Sequence, residues 1–291
     1  MITTACSVYG IVWWGIKVLS YFHSGFEEWS RGNFSMLVFI FFLGLGVGTV
    51  QFLWKCAKML SVSHRLEGQD ILIEIRVGDI FSADGAFIIS TNTAFDMDMS
   101  DGPISPETLQ GQFTKKYYDD VAHLNQALAE ALESEKSIVD EDNSAEKESP
   151  DIGTVVKVSP RQRLAYFVAI DTLNEHTGVE SSLDNVRKGL GSLWQYIGTQ
   201  GVLDPLVIPV LGTGYSGIPV SREQMIIEII TSFIAACTEK KFCEKLTIII
   251  SEDDYRQQDI NLEELGTYLR LYAREVHRKA HNLIDPVDKL I

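Results

Sequence analysis

The residues best suited to chemistry in this 291-residue chain lie in one stretch, Val207-Ile208-Pro209-Val210-Leu211-Gly212-Thr213-Gly214-Tyr215-Ser216-Gly217-Ile218-Pro219. Its apolar first half reads as a strand and its end runs into a helix. Three glycines ahead of a helix start leave backbone N–H groups approachable, and the helix dipole adds partial positive charge. Gly212, Thr213, Gly214, Tyr215, Ser216 and Gly217 are therefore candidates to hold a diphosphate. Ser221 and Gln224 have the spacing of a capping box at the start of that helix. No lysine follows the last glycine, so this is not the ATP-hydrolysing phosphate loop, and the dinucleotide fingerprint is absent as well. An ordinary glycine-rich turn would have the same composition.

A second feature decides between the two. Val77-Gly78-Asp79-Ile80 closes the first apolar strand of the domain. A carboxylate at a strand end can accept from an adenine amino group while the next backbone N–H meets a ring nitrogen, although Asp79 alone would be ordinary turn chemistry. Together with the later loop, this pair is similar to the macro domain, the ADP-ribose-binding fold, over roughly residues 70–281. The resemblance implies a three-layer α/β/α sandwich with a mixed sheet. It also implies that Asn92, in Ile88-Ile89-Ser90-Thr91-Asn92-Thr93, lies near the distal ribose and that Tyr255 lies beside the adenine. Hydrolytic macro domains follow the Asn strand with a run of glycines. This chain instead has Asp96–Ser105 and then Leu109-Gln110-Gly111-Gln112-Phe113. The departure points away from hydrolysis and toward a pocket fitted to a modified ADP-ribose.

These residues need a sheet with helices on both faces, and the pattern of the chain supplies one. Ile71–Val77, Ala86–Thr91, Thr154–Ser159, Leu164–Ile170, Pro205–Val210 and Leu246–Ser251 read as strands. Glu107–Leu132, Glu180–Ile197, Ser221–Thr238 and Leu262–His281 read as helices, with Gly111 a break in the first. Such alternation predicts an α/β domain over 70–285. Residues 133–151, with eight acidic residues and two lysines, read as a mobile surface insertion.

The chain carries a net charge of −15, which argues against nucleic acid as a partner. The cysteines, Cys6, Cys56, Cys237 and Cys243, have no metal-ligand spacing, so neither a disulfide nor a metal site is expected. A mean hydropathy of +0.04 with 22% charged residues requires the apolar residues to be concentrated, and they are concentrated in the first sixty positions. About 3–22 and 34–54 read as two membrane-crossing helices in a hairpin, followed by a linker at 61–69. Lys55, Lys58 and Arg65 after the second span place the C-terminal domain in the cytoplasm of an inner-membrane protein. Gly44 and Gly48 form a small-residue spacing that permits close helix approach. Lys17 either snorkels to the interface or lines a polar path.

Two spans followed by such a domain resemble the membrane effectors of type II Thoeris antiphage defence. That resemblance implies a TIR-domain partner that converts NAD into an ADP-ribose conjugate, with histidine as the attached group. It implies that binding of this second messenger drives homo-oligomerisation and damage to membrane lipid, with no catalytic turnover and no cofactor. Two other readings fit the same residues: a membrane-tethered ADP-ribosyl hydrolase relying on Asn92, and a tethered binding module without membrane activity.

Overall fold

The structure is a computed structural model that describes residues 42, 46, 48–50, 60–95, 105–139, 150–174, 178–200, 203–212 and 218–284. The chain divides into two units, Met1–Met59 and Leu60–Ile291. The expected spans at 3–22 and 34–54 fall almost wholly outside the described residues. Residues 42, 46 and 48–50 are helical and exposed.

In the second unit the strands are β1 (Ser61–Leu66), β2 (Ile71–Val77), β3 (Ala86–Asn92), β4 (Val155–Val158), β5 (Ala165–Asn174), β6 (Gly178–Ser181), β7 (Leu206–Pro209) and β8 (Lys245–Ile250). The helices are α1 (Leu109–Tyr117), α2 (Val121–Val139), α3 (Leu183–Gln200), α4 (Arg222–Glu239), α5 (Glu252–Gln257) and α6 (Leu262–Ile284). The strands make one mixed sheet in the order β1-β2-β8-β7-β3-β5-β4, with β6 paired to β5. The strands β2, β8, β7, β3 and β5 are parallel, while β1, β4 and β6 pair antiparallel.

The central strands are buried on both sides and read as continuous apolar runs, as parallel strands must when helices cover both faces. On one face Ile73, Ile75, Ile88 and Ile248 meet Leu190 and Trp194 of α3, Ile229 and Phe233 of α4, and Leu265 and Leu269 of α6. Trp194 sits edge-on to Phe233 at 5.3 Å and its Nε1–H donates to Ser232 Oγ at 3.0 Å. On the other face Phe87, Ile89 and Phe167 meet Phe113 of α1 and Leu124 and Leu128 of α2. The three layers are those the resemblance implied.

Several boundaries differ from the sequence reading. The 61–69 segment expected as a linker contains β1, which pairs with β2 from Ser61↔Arg76 to Leu66↔Ile71. Its run Ser-Val-Ser-His-Arg-Leu is mostly polar because it is an edge strand with little buried surface, so the apolar signal is weak. The first helical stretch breaks at Tyr118–Asp120, where Asp120 Oδ1 accepts from His123 N at 2.9 Å, and not at Gly111. Gly111 lies inside α1, where a Cβ would meet Ser105 O at 2.5 Å. Residues 180–181 belong to β6, and Ser182 Oγ accepts from Asn185 N as α3 begins. Residues 133–139 of the expected insertion continue α2, and 140–149 lie outside the described residues.

Candidate functional site

The C-terminal ends of β2, β8, β7, β3 and β5 share one edge of the sheet. From β3 the chain leaves toward β5 through α1 and α2 on one face. From β7 it leaves toward β8 through α4 on the opposite face. The neighbours β7 and β3 therefore flank a topological switch point, where open α/β sheets form a crevice. The ladder between them consists of Ala86↔Leu206 and Phe87↔Val207, whereas β3 stays paired with β5 up to Asn92. The β3–β7 ladder ends at Phe87↔Val207. The Ser90 carbonyl is taken by a side chain, Gln110 Nε2 of α1, at 2.6 Å.

Asp79 and Ile80 leave β2 at this edge. Gly78 N donates to Ile250 O at 2.9 Å, which holds the exit of β2 against that of β8. Asp79 is exposed, and its Oδ1 accepts from Phe81 N at 2.9 Å, so the carboxylate is oriented by the turn it begins. Ile80 is buried and is the first residue of that turn, so its N–H has no partner within the turn. On the adjacent strand β8, Ser251 Oγ accepts from Asp254 N at 3.0 Å and opens α5, which carries Tyr255 half-buried against the core. The two features singled out for the adenine thus emerge from neighbouring strands.

The glycine loop leaves β7 beside them, with Val210 N donating to Ile249 O at 3.2 Å. Gly212 has φ +67°, and a Cβ there would meet Ile218 Cδ1 at 2.5 Å. Both the left-handed backbone and the contact with buried Ile218 require glycine. Thr213, Gly214, Tyr215, Ser216 and Gly217 lie outside the described residues. The helix start beyond them is capped as expected, with Ser221 Oγ accepting from Gln224 N at 3.1 Å. The Gln224 amide turns forward to Glu228 Oε1.

Asn92 ends β3 on the far side of the crevice and is buried. Its Oδ1 accepts from Ala94 N at 2.9 Å, an Asx turn that fixes the side chain. Its register partner on β5 is Asp171, whose carbonyl accepts from Thr93 N at 2.9 Å. Burial pushes the Asp171 carboxyl up to about 7. Sequence reading missed Asp171 and Gln110. The signal for Asp171 was an acidic residue directly after the apolar run Ala165–Ile170.

Cys237 and Cys243 are buried free thiols, and burial raises both pKa values, Cys243 to about 12, which keeps them protonated and unreactive. Among the described residues, no group of His, Cys, Asp and Glu is arranged to hold a metal. Also among the described residues, no helix is long and apolar enough to cross a membrane. Lys17 and Gly44 lie outside them. Gly48 is described and exposed, with nothing within 4 Å of an added Cβ.

The family model for the macro domain of the Thoeris protein ThsA matches residues 73–251, more than half of the chain. The chain belongs to this ThsA macro-domain family. It is 24% identical over 248 residues to the Thoeris protein ThsA of Bacillus amyloliquefaciens (strain Y2), covering 82% of this chain and 80% of that one. Among solved structures, it is similar to an alanine variant of the Oceanobacillus iheyensis macrodomain, with TM-score 0.50 and 17% identity over 70% of this chain and 93% of that one. The Trypanosoma brucei macrodomain in complex with ADP-ribose is a more distant likeness, with TM-score 0.46 and 13% identity over 67% of this chain and 72% of that one. For a ThsA-family macro domain, Asp79, Ile80, Asn92, Gly212 and Tyr255 stand at one sheet edge, around the switch point between β7 and β3.

Proposed function

We propose that the domain binds an ADP-ribose-derived signal in the crevice between β7 and β3 and acts as a sensor without turnover. The observation that carries this reading is the topological switch point between β7 and β3, with Asp79, Ile80 and Tyr255 on one side and Asn92 on the other. The adenine lies by Asp79 and Tyr255, the diphosphate at the loop of Gly212–Gly217, and the distal ribose at Asn92. Membership of the ThsA family supports a Thoeris defence role. In this role a TIR-domain partner makes the signal, an ADP-ribose conjugate with histidine as the attached group. Ligand binding favours an assembled state of the first sixty residues, through Lys17, Gly44 and Gly48, and the assembled helices disrupt the inner membrane. A ligand acts in this way only by binding one assembly state better than another.

Calorimetry of the full-length protein against ADP-ribose and its conjugates tests the binding. Heat of binding without release of product supports a sensor. Release of product that Asn92→Ala abolishes would instead make the protein a tethered hydrolase. Gly214→Glu, which adds charge and bulk to the loop, is expected to abolish both binding and cell toxicity, and toxicity that survives it would sink ligand gating. Leu at both Gly44 and Gly48 is expected to spare binding and abolish toxicity.

A further inference from the structure

Three buried side-chain oxygens, Asp171 Oδ1 on β5, Thr91 Oγ1 on β3 and Ser181 Oγ on β6, have no hydrogen-bond partner among the described residues. They belong to one neighbourhood. Asp171 is the register partner of both Asn92 and Ser181, and Thr91 directly precedes Asn92. The ladder between β3 and β5 also shifts register between Thr91 and Asn92, which takes these residues out of regular pairing. Bulges of this kind re-aim side chains beside functional sites. A buried polar group without a partner is rare in a native fold, and three on adjacent strands around the Asn92–Asp171 pair suit a polar group supplied from outside the chain.

The chemistry of the three atoms narrows what that group is. Ser and Thr hydroxyls donate or accept, and the Asp171 carboxyl, once ionised beside a cationic donor, only accepts, so a donor completes the set. Among the described residues Asp171 Oδ1 has no hydrogen-bond partner, and the carbonyl of its own backbone is already taken by Thr93 N. Charge-assisted hydrogen bonds from N⁺–H to a carboxylate are among the strongest available to a site of this kind.

We propose that Asp171 is the specificity-determining residue at the distal end of the crevice, accepting a hydrogen bond from an N–H or ammonium group attached to the terminal ribose of the ligand. The assignment rests on the ADP-ribose reading given above. Asn92 orients the ribose, and Asp171 reads what the ribose carries. A neutral apolar substituent leaves Asp171 without its partner and is discriminated against.

The test compares three probes on the full-length protein by calorimetry: ADP-ribose, an ADP-ribose carrying an aminoethyl group on its terminal ribose, and the same conjugate with a propyl group in place of aminoethyl. Wild-type protein is expected to bind the aminoethyl probe about tenfold or more tighter than the propyl probe, a difference of about 1.4 kcal/mol. Asp171→Asn keeps the shape of the side chain and is expected to erase that preference, so that the aminoethyl and propyl probes bind the variant equally. Equal binding of the aminoethyl and propyl probes by wild-type protein overturns the assignment without any variant. A preference that persists in Asp171→Asn, with the variant folded by its thermal melt, overturns it as well. Failure of wild-type protein to bind any of the three overturns the ADP-ribose reading itself, and the assignment with it.

Discussion

Arg222 Nε donates to Asp254 Oδ1 at 3.1 Å, and both side chains are about four-fifths buried. Arg222 is the first residue of α4, just past the glycine loop, and Asp254 precedes Tyr255 in α5. The pair therefore ties the helix start behind the diphosphate position to the short helix beside the adenine position. Ser251 Oγ also donates to Asp254 Oδ2 at 3.0 Å, so each carboxylate oxygen has a partner.

Arg222→Ala is expected to lower stability by about 1–3 kcal/mol, because it leaves a largely buried carboxylate without its charged partner. It is also expected to weaken ADP-ribose binding, since α5 loses its tether to α4. Denaturant unfolding and calorimetry on the same preparation check both. Unchanged affinity would show that the tether serves folding alone.

Gly212→Ala is expected to be more damaging than its size suggests. The added methyl meets Ile218 Cδ1, and the backbone at φ +67° is costly for any residue with a Cβ. A left-handed non-glycine residue of this kind costs on the order of 1–3 kcal/mol. Thermal melts measure that cost. Pairing the change with Ile218→Val, which shortens the contacted side chain, should recover the steric part and leave the backbone part.

Asp171→Asn carries a signature in pH. Burial pushes the carboxyl from 3.8 up to about 7. Between those values the folded protein holds a proton that the unfolded chain has lost. The contribution of Asp171 to stability is therefore largest below 3.8, falls as pH rises across the window, and levels off as a net cost above 7. The asparagine variant has no such group. Its melting temperature should gain on wild type as pH rises from about 4 to about 7, and the gap should then stay level. A constant gap across that range would show that Asp171 does not titrate in the window.

Gln110→Ala removes the side chain that takes the Ser90 carbonyl past the end of the β3–β7 ladder. Ser90 is only partly buried, so losing this partner is expected to cost about 1 kcal/mol. The loss should appear in denaturant midpoints, and Gln110→Glu, which cannot donate when ionised, should resemble the alanine variant at neutral pH.

The sheet was largely legible in the sequence because its central strands are buried on both faces. Ile71–Val77 was read to the residue, and the runs at Ala86, Pro205 and Leu246 were found within one or two positions. Strand β1 is not legible because four of its six residues, Ser61, Ser63, His64 and Arg65, are polar, and its pairing with β2 carries its place in the fold. The sequence pattern and the resemblance were enough to single out Gly212, Asp79 and Asn92, which the fold sets along one edge of the sheet. The site was not legible at Gln110 and Asp171. Their roles depend on which elements become neighbours: Gln110 reaches Ser90 past the end of the β3–β7 ladder, and Asp171 meets Asn92 because β5 lies beside β3. Spacing along the chain does not encode either juxtaposition.

Strand β1 also determines where this protein can be divided. A fragment beginning at residue 70 would strip β2 of its antiparallel neighbour along its whole length, from Ile71 to Arg76. The bared strand would present unpaired N–H and C=O groups beside Ile71, Ile73 and Ile75, the kind of edge that recruits a second chain. Such a fragment is expected to self-associate for reasons unrelated to signalling, whereas one that begins before Leu60 keeps the edge covered. Oligomers seen with the shorter piece would be products of the cut.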